Sequence, residues 1–229
     1  MTTENATQQA MVLAVQSVAK VYQMGEVQVH ALRGVSTELF EGEFVVLLGP
    51  SGSGKSTLLN VCVGRLRPDR GAVVFDGEIL TGKSPHEINQ LGVARVFQTP
   101  EVFPDLTVIE NVMVPALSKR DGHFRLNPFK SFFAEKAIRE ESAAVIESVG
   151  LQAQLSTMAS SLSRGDKRRL ELAMGLIQHP RLLLLDEPTA VLTDQESAAA
   201  LSFLQRMADE GHAVVLITHK LREVIGYSS

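Results

Sequence analysis

Three short apolar runs stand apart in this chain. Phe44-Val45-Val46-Leu47-Leu48, Leu182-Leu183-Leu184-Leu185 and Leu216-Ile217 lack polar alternation. They predict strands buried on both faces, as in a parallel sheet. Val12 to Val21 and Gly34 to Leu48 carry β-rich patterns around turn signals at Met24-Gly25 and Glu41-Gly42. Gly71-Ala72-Val73-Val74-Phe75-Asp76-Gly77 reads as a short strand closed by a turn. Strand character fades from Pro100 to Leu162. Lys136 to Val149 has helical spacing instead, with Ala137, Ala144, Val145 and Val149 among its apolar positions. From Leu170 to Ile225 helix and strand alternate. Thr2 to Ala10 is polar and predicts a disordered tail. The class is therefore α/β.

The first buried run leads into chemistry. Gly49-Pro50-Ser51-Gly52-Ser53-Gly54-Lys55-Ser56-Thr57 follows it directly and opens into Leu58-Leu59-Asn60-Val61. Strand, glycine-rich loop and helix start are the context of G-x-x-x-x-G-K-[ST], a phosphate-binding loop. Its glycines let backbone N–H groups turn inward, and the helix N-terminus favours negative charge. Lys55 reaches the β- and γ-phosphates in this reading, and Ser56 ligates Mg²⁺. The second run ends in Asp186-Glu187-Pro188. Two carboxylates at the carboxyl end of a buried strand belong beside the phosphate loop of a doubly wound sheet. Asp186 is then a metal residue, and Glu187 orients the attacking water. The plainer alternative, a strand followed by an acidic helix cap, weakens once the phosphate loop is present.

Bulk properties narrow the class. The chain has 229 residues, 45% of them apolar, and a formal charge of −4. That suits one large domain with a proper core. It gives no electrostatic footprint for nucleic acid, and none is expected as a partner. No apolar run approaches the roughly 18–20 residues that cross a bilayer. Met1 to Gln9 lacks the basic start of a signal peptide. The single Cys62 reads as a buried small apolar residue on the helix after the phosphate loop.

Two further segments identify a family. Ser161-Leu162-Ser163-Arg164-Gly165-Asp166-Lys167-Arg168-Arg169 precedes the acidic strand by about a helix length, and Leu216-Ile217-Thr218-His219 is a strand ending in histidine. In order, spacing and content the chain resembles the ATP-binding-cassette (ABC) ATPases from about Val12 to its end. The resemblance implies a P-loop fold with an antiparallel β lobe and an inserted helical subdomain. It divides the chain into a tail at 1–11 and an ATPase domain at 12–229. Within that domain, core and β lobe occupy about 12–98 and 168–229, and the helical subdomain about 99–167. It implies ATP and Mg²⁺ as cofactors. Tyr22 matches the aromatic that stacks on adenine, and such stacking is worth roughly 1–3 kcal/mol per base. Gln98 matches the glutamine that touches Mg²⁺ and water, and His219 the histidine on the γ-phosphate. Ser163 and Gly165 match the signature that binds the γ-phosphate held by the opposite subunit. The implied machine is a head-to-tail dimer, of two copies or of this chain with a homologous ATPase subunit. It energises transmembrane permease subunits, with an extracytoplasmic binding protein in importers. The implied location is cytoplasmic, peripheral at the inner membrane.

The chain departs from the family pattern in places. The common Leu-Ser-Gly-Gly-Gln has Arg164 and Asp166 here. A carboxylate near a phosphate site is unfavourable by Coulomb's law. However, the Ser163 to Glu171 segment resembles branched-chain amino acid importers, so Asp166 is not read as damage. Ala190-Val191-Leu192-Thr193 replaces the usual Ser-Ala-Leu-Asp loop, with Asp194 one place later. Tyr22 to Val35 resembles lipoprotein-releasing and macrolide-exporter ATPases, and Asp186 to Thr193 with Ile217 to Val224 resembles sugar and nucleoside importers. Import of branched-chain or hydrophobic amino acids, lipid or drug export, and a non-transport ABC ATPase are the alternatives that these resemblances leave open. Ser118 to Phe133 is basic and aromatic; a solvated loop anchored by phenylalanines is favoured over a nucleic-acid or lipid patch.

Overall fold

The computed structural model describes residues 10–96, 102–121, 131–190 and 192–219. In chain order the elements are β1 (Met11–Met24), β2 (Val27–Phe40), β3 (Phe44–Leu47), α1 (Lys55–Cys62), β4 (Arg70–Phe75), β5 (Glu78–Ile79), α2 (Pro85–Gln90), β6 (Val93–Val96), α3 (Val108–Asp121), α4 (Ser131–Ser148), α5 (Arg164–Leu176), β7 (Leu182–Asp186), α6 (Asp194–Asp209) and β8 (Ala213–Ile217). They form two sheets. One is antiparallel in the order β2-β1-β4-β5, and the other is parallel in the order β3-β8-β7-β6.

The parallel sheet is the predicted one, and its residues show why it forms. Leu182 to Leu185 are fully buried, and their side chains alternate between two cores. Leu182 and Leu184 face the cluster that holds Leu58, Leu59, Val61 and the β lobe. Leu183 and Leu185 face the cluster built by α5 and α6, with Leu172, Leu201 and Leu204. Helices or lobe therefore cover both faces, which removes any need for polar alternation. Each buried leucine contributes about 1.5–3 kcal/mol.

The antiparallel lobe is more extended than the sequence pattern suggested. β1 and β2 are each 14 residues long and pair along their length, with register shifts between Val15 and Val18 and between Lys20 and Val21. The turn follows Met24, and the second turn falls at Glu41-Gly42, both as expected.

A third core joins α3, α4 and α5 through Val108, Val112, Ile146 and Leu170. Helix α4 covers the predicted helical stretch up to Ser148, with Val149 already in a turn, and extends N-terminally of it. Among the described residues between 102 and 162, strand pairing is limited to one bridge, Thr107 with Met158. The α3 start is locked by a reciprocal pair: Thr107 N–H donates to Glu110 Oε2 at 2.8 Å, and Glu110 N–H donates to Thr107 Oγ1 at 3.4 Å. Cys62 is buried, and burial pushes its thiol up to about 12, so it is an inert packing residue as expected.

Candidate nucleotide site

Strand register gathers the predicted residues at one rim. Leu47 pairs with Ile217, and Ile217 pairs with Asp186. The three parallel strands therefore release their chains at the same level, about 4.8 Å apart. β3 releases the phosphate loop, β8 releases Thr218 and His219, and β7 releases Glu187. This is the crevice at the carboxyl ends of a parallel sheet where ligands bind.

The phosphate loop is built by backbone. Gly52 and Gly54 have φ of +80° and +92°, the left-handed region that favours glycine. Gly54 precedes α1, so the first-turn N–H groups lie at the loop. A Cβ at Gly54 would come 2.3 Å from the Ala31 carbonyl oxygen, so loop and β2 touch backbone to backbone. Lys55 Nζ donates to Gly49 O at 2.7 Å, Pro50 O at 2.9 Å and Ser53 Oγ at 3.0 Å. An ammonium has three protons, and the loop's own oxygens use all three. Ligand phosphate would exchange with these acceptors. Ser51 and Gly52 are exposed at the loop tip. Ser56 and Thr57 follow Lys55 in the first turn of α1, Ser56 exposed and Thr57 half-buried. Tyr22 lies on β1 opposite Val29 and is 37% exposed. It is on the same hairpin as Ala31, and its ring is accessible for stacking.

Asp186 and Glu187 are neighbours in different settings. Asp186 is buried at the end of β7. Arg95 Nη2 donates to its Oδ2 at 3.1 Å, and Arg95 Nη1 donates to Asn60 Oδ1 at 2.6 Å. Burial pulls the Arg95 guanidinium below its ordinary pKa, while Asp186 works in the opposite direction. Glu187 leaves the sheet with φ of +49°, uncommon for a residue with a side chain. Its N–H donates to Ile217 O at 2.9 Å, and its carbonyl accepts from Ala190 N–H at 3.2 Å. Its carboxylate Oε1 lies 3.2 Å from His219 Nδ1. The histidine ring is more exposed than the carboxylate. Gln98 falls outside the described residues, as do 122–130 of the basic aromatic stretch.

Ser163 and Gly165 sit elsewhere, at the start of α5. Ser163 is the N-cap: its Oγ accepts from Asp166 N–H at 3.1 Å and donates to Asp166 Oδ2 at 2.8 Å. Gly165 is packed near Leu192 and Glu196. Arg169 Nη2 lies 3.3 Å from Asp166 Oδ1 and 2.8 Å from Glu196 Oε1. The unusual Asp166 carboxylate therefore has a hydroxyl donor in Ser163 and a cation in Arg169 beside it, which answers the Coulomb objection.

Arg95, Arg168 and Glu171 escaped the sequence reading. Arg168 and Glu171 are both buried, with Nη1 donating to Oε2 at 2.5 Å. A signal was present: Arg168 stands four and eight residues before Leu172 and Leu176, on the apolar stripe of α5. Arg95 is the polar break in Val93-Ala94-Arg95-Val96.

A hard-oxygen set of one carboxylate and one hydroxyl fits Mg²⁺, which takes one or two carboxylates plus substrate phosphates. Asp186 at the end of β7 and Ser56 at the start of α1 carry donors of those two kinds. A hollow of about 440 Å³ lies away from the phosphate loop, lined by Val102, Phe103, Val114, Pro115, Ser118 and Met174. No helix among the described residues is long and apolar enough to cross a membrane.

The chain is similar to known proteins over most of its length. The family described as "ABC transporter" matches residues 32–190. A ribose import ATP-binding protein of Streptomyces avermitilis is 35% identical over 226 residues, which is 98% of this chain and 42% of the relative. The chain thus spans less than half of that relative's length. An ABC transporter ATP-binding protein of Thermotoga maritima is 34% identical over 93% of this chain and 87% of its own length. A protein of Methanocaldococcus jannaschii named for branched-chain amino acid transport is 31% identical, over 86% of this chain and 77% of its own length. Among solved structures, a dimeric ATP-binding cassette in a post-hydrolysis state with ADP and Pi has a TM-score of 0.80. It is 29% identical and covers 92% of this chain and 89% of that chain.

Proposed function

The chain belongs to the ABC transporter family, and from that premise we propose that it is the ATP-binding and hydrolysing subunit of a membrane transporter. The observation that carries this reading is the shared rim: phosphate loop, Asp186, Glu187 and His219 lie at the ends of three neighbouring parallel strands. We assign the β lobe and core to about 12–98 and 168–229, and the helical subdomain to about 99–167.

Gly49 to Thr57 cradles the phosphates through its N–H groups, and Tyr22 carries the adenine. Lys55 exchanges its loop acceptors for phosphate oxygens. Ser56, Asp186 and Gln98 are the residues that would hold Mg²⁺. Such a cation would supply positive charge to offset that of the phosphates. Glu187 accepts a hydrogen bond from the attacking water and orients it. The water oxygen bonds the γ-phosphorus as the bond to the bridging oxygen breaks, leaving ADP and phosphate. His219 contacts the γ-phosphate and, through the 3.2 Å approach to Glu187, holds water-orienting and phosphate-binding groups in one arrangement. Ser163 and Gly165 complete the site of a second subunit in a head-to-tail dimer; that a similar solved cassette is dimeric supports the dimer, and the head-to-tail orientation is our proposal.

The partners are permease subunits that place this chain at the inner face of the membrane. The hollow beside Val102 and Phe103 is the groove where such a subunit docks. Branched-chain or hydrophobic amino acids are the cargo class favoured by the Ser163 to Glu171 segment and the Methanocaldococcus relative. Sugar import is the second reading, favoured by the Streptomyces relative.

The test is co-purification of Glu187→Gln with ATP, with partners identified by mass spectrometry. Glu187→Gln should retain ATP binding and lower turnover by roughly 10²–10⁴-fold. A co-purifying multi-span permease supports transport, and its own relatives decide between the cargoes. Wild-type turnover in the mutant would overturn the assignment of Glu187, and capture of nucleic acid would overturn the transport reading.

A further inference from the structure

We infer that Arg168 is a positioning residue for Glu187. Arg168 lies on α5, five residues after the signature serine Ser163, and its side chain is buried. Its guanidinium is a rigid fork. Nη2 donates to the Asp186 carbonyl at 3.1 Å, and Nε donates to the Pro188 carbonyl at 3.0 Å. These two carbonyls flank Glu187. The residue between them is the one with φ of +49°. A left-handed backbone at a glutamate persists only where surrounding bonds over-determine it. The fork supplies that restraint from one side, and the Ile217 carbonyl supplies it from the other.

Glu171 completes the device. Its Oε2 accepts from Arg168 Nη1 at 2.5 Å, so the cation is neutralised and aimed by a residue one turn later on the same helix. Fork, turn and carboxylate thereby form one unit, in which the α5 backbone fixes where the Glu187 carboxylate points. The Asp186 side chain is held independently, by Arg95 from β6. The two carboxylates of the site therefore answer to different arginines.

The assignment rests on the ATPase reading for its turnover measurement alone, and the backbone measurement stands without it. The experiment uses the full chain with Arg168→Lys, which keeps the charge and loses the fork. Hydrogen exchange without nucleotide should speed up by about tenfold at the Glu187 and Ala190 amides, the scale of one lost charge-assisted hydrogen bond. Exchange in α5, β7 and β8 should stay at wild-type rates. With ATP, kcat should fall at least about tenfold while ATP affinity stays within about twofold, the pattern of a lost transition-state arrangement. The double variant Arg168→Met/Glu171→Met removes both buried charges and guards against a simple folding defect; it should show the same two changes. Unchanged exchange at 187 and 190 in both variants overturns the proposal. Equal acceleration throughout α5 and β7 also overturns it, because Arg168 would then be a packing residue. A wild-type chain that fails to hydrolyse ATP with its permease refutes the ATPase reading instead, and the exchange rates still decide the role of Arg168.

Discussion

The phosphate loop and the start of α5 are both sites for phosphate in the proposed dimer, yet they are built from different materials. The loop is made of backbone: left-handed glycines, carbonyls around Lys55, and a close approach to Ala31. The α5 end is made of side-chain charge: Ser163, Asp166, Arg169 and Glu196 on its surface, with Arg168 and Glu171 beneath. Backbone construction demands particular residue types at fixed spacing. Charge construction demands pairing, and the partner can come from any distance along the chain. Arg169 and Glu196 are 27 residues apart, and Arg95 and Asp186 are 91 apart.

The contrast sets an order of expected effects. The largest belongs to the buried charges. Arg168→Met strands Glu171 and should cost about 3–5 kcal/mol in urea unfolding, whereas Arg168→Met/Glu171→Met should recover most of that loss. Equal losses in the two variants would mean that shape, not charge, holds the α5 end together. Next is Gly54→Ala at the loop. It forces a side chain into φ of +92° and towards the Ala31 carbonyl, and should cost about 1–3 kcal/mol by thermal unfolding. A neutral result would break the claim that the loop is shaped by its backbone. Thr193→Ala removes the α6 N-cap, whose Oγ1 accepts from Glu196 N–H at 3.3 Å, and should cost about 1 kcal/mol. The smallest effect is one of pH. The Thr193 backbone and hydroxyl, then Arg169, hold the Glu196 carboxyl below its ordinary value of 4.5. A depressed folded pKa gives stability that is present above the unfolded value and lost as pH falls through the folded one. The Glu196→Gln variant should therefore show a shallower loss of stability as pH falls from about 4.5 through the lower folded value, in acid unfolding followed against pH.

What could be read from the sequence follows the same division. Gly49 to Thr57, the buried leucines of β7 and the carboxylates after them were legible, because each is fixed by local geometry. The register that sets Leu47, Ile217 and Asp186 in one row follows from three parallel strands ending together. The length of the β1–β2 hairpin was hidden, since exposed apolar residues such as Val27 and Val29 blur the alternation that marks a strand. Asp166 looked unfavourable because its partner Arg169 was read as signature and not as a counter-ion. Arg95 and Arg168 show in the sequence only as polar interruptions of a buried strand and of an apolar stripe; their place in the site emerges once their acceptors, the Asp186 carboxylate and the carbonyls on either side of Glu187, are known.

The approach of Gly54 to Ala31 bears on how such motifs are interpreted in other chains. A Cβ there would collide with a carbonyl of the β lobe whether or not a nucleotide is ever bound. The glycine is thus under two independent constraints, one catalytic and one architectural. A descendant that lost its chemistry would be expected to keep Gly54 long after Glu187 had drifted. Retention of the glycine is therefore a record of the fold, and the carboxylate is the better witness to activity.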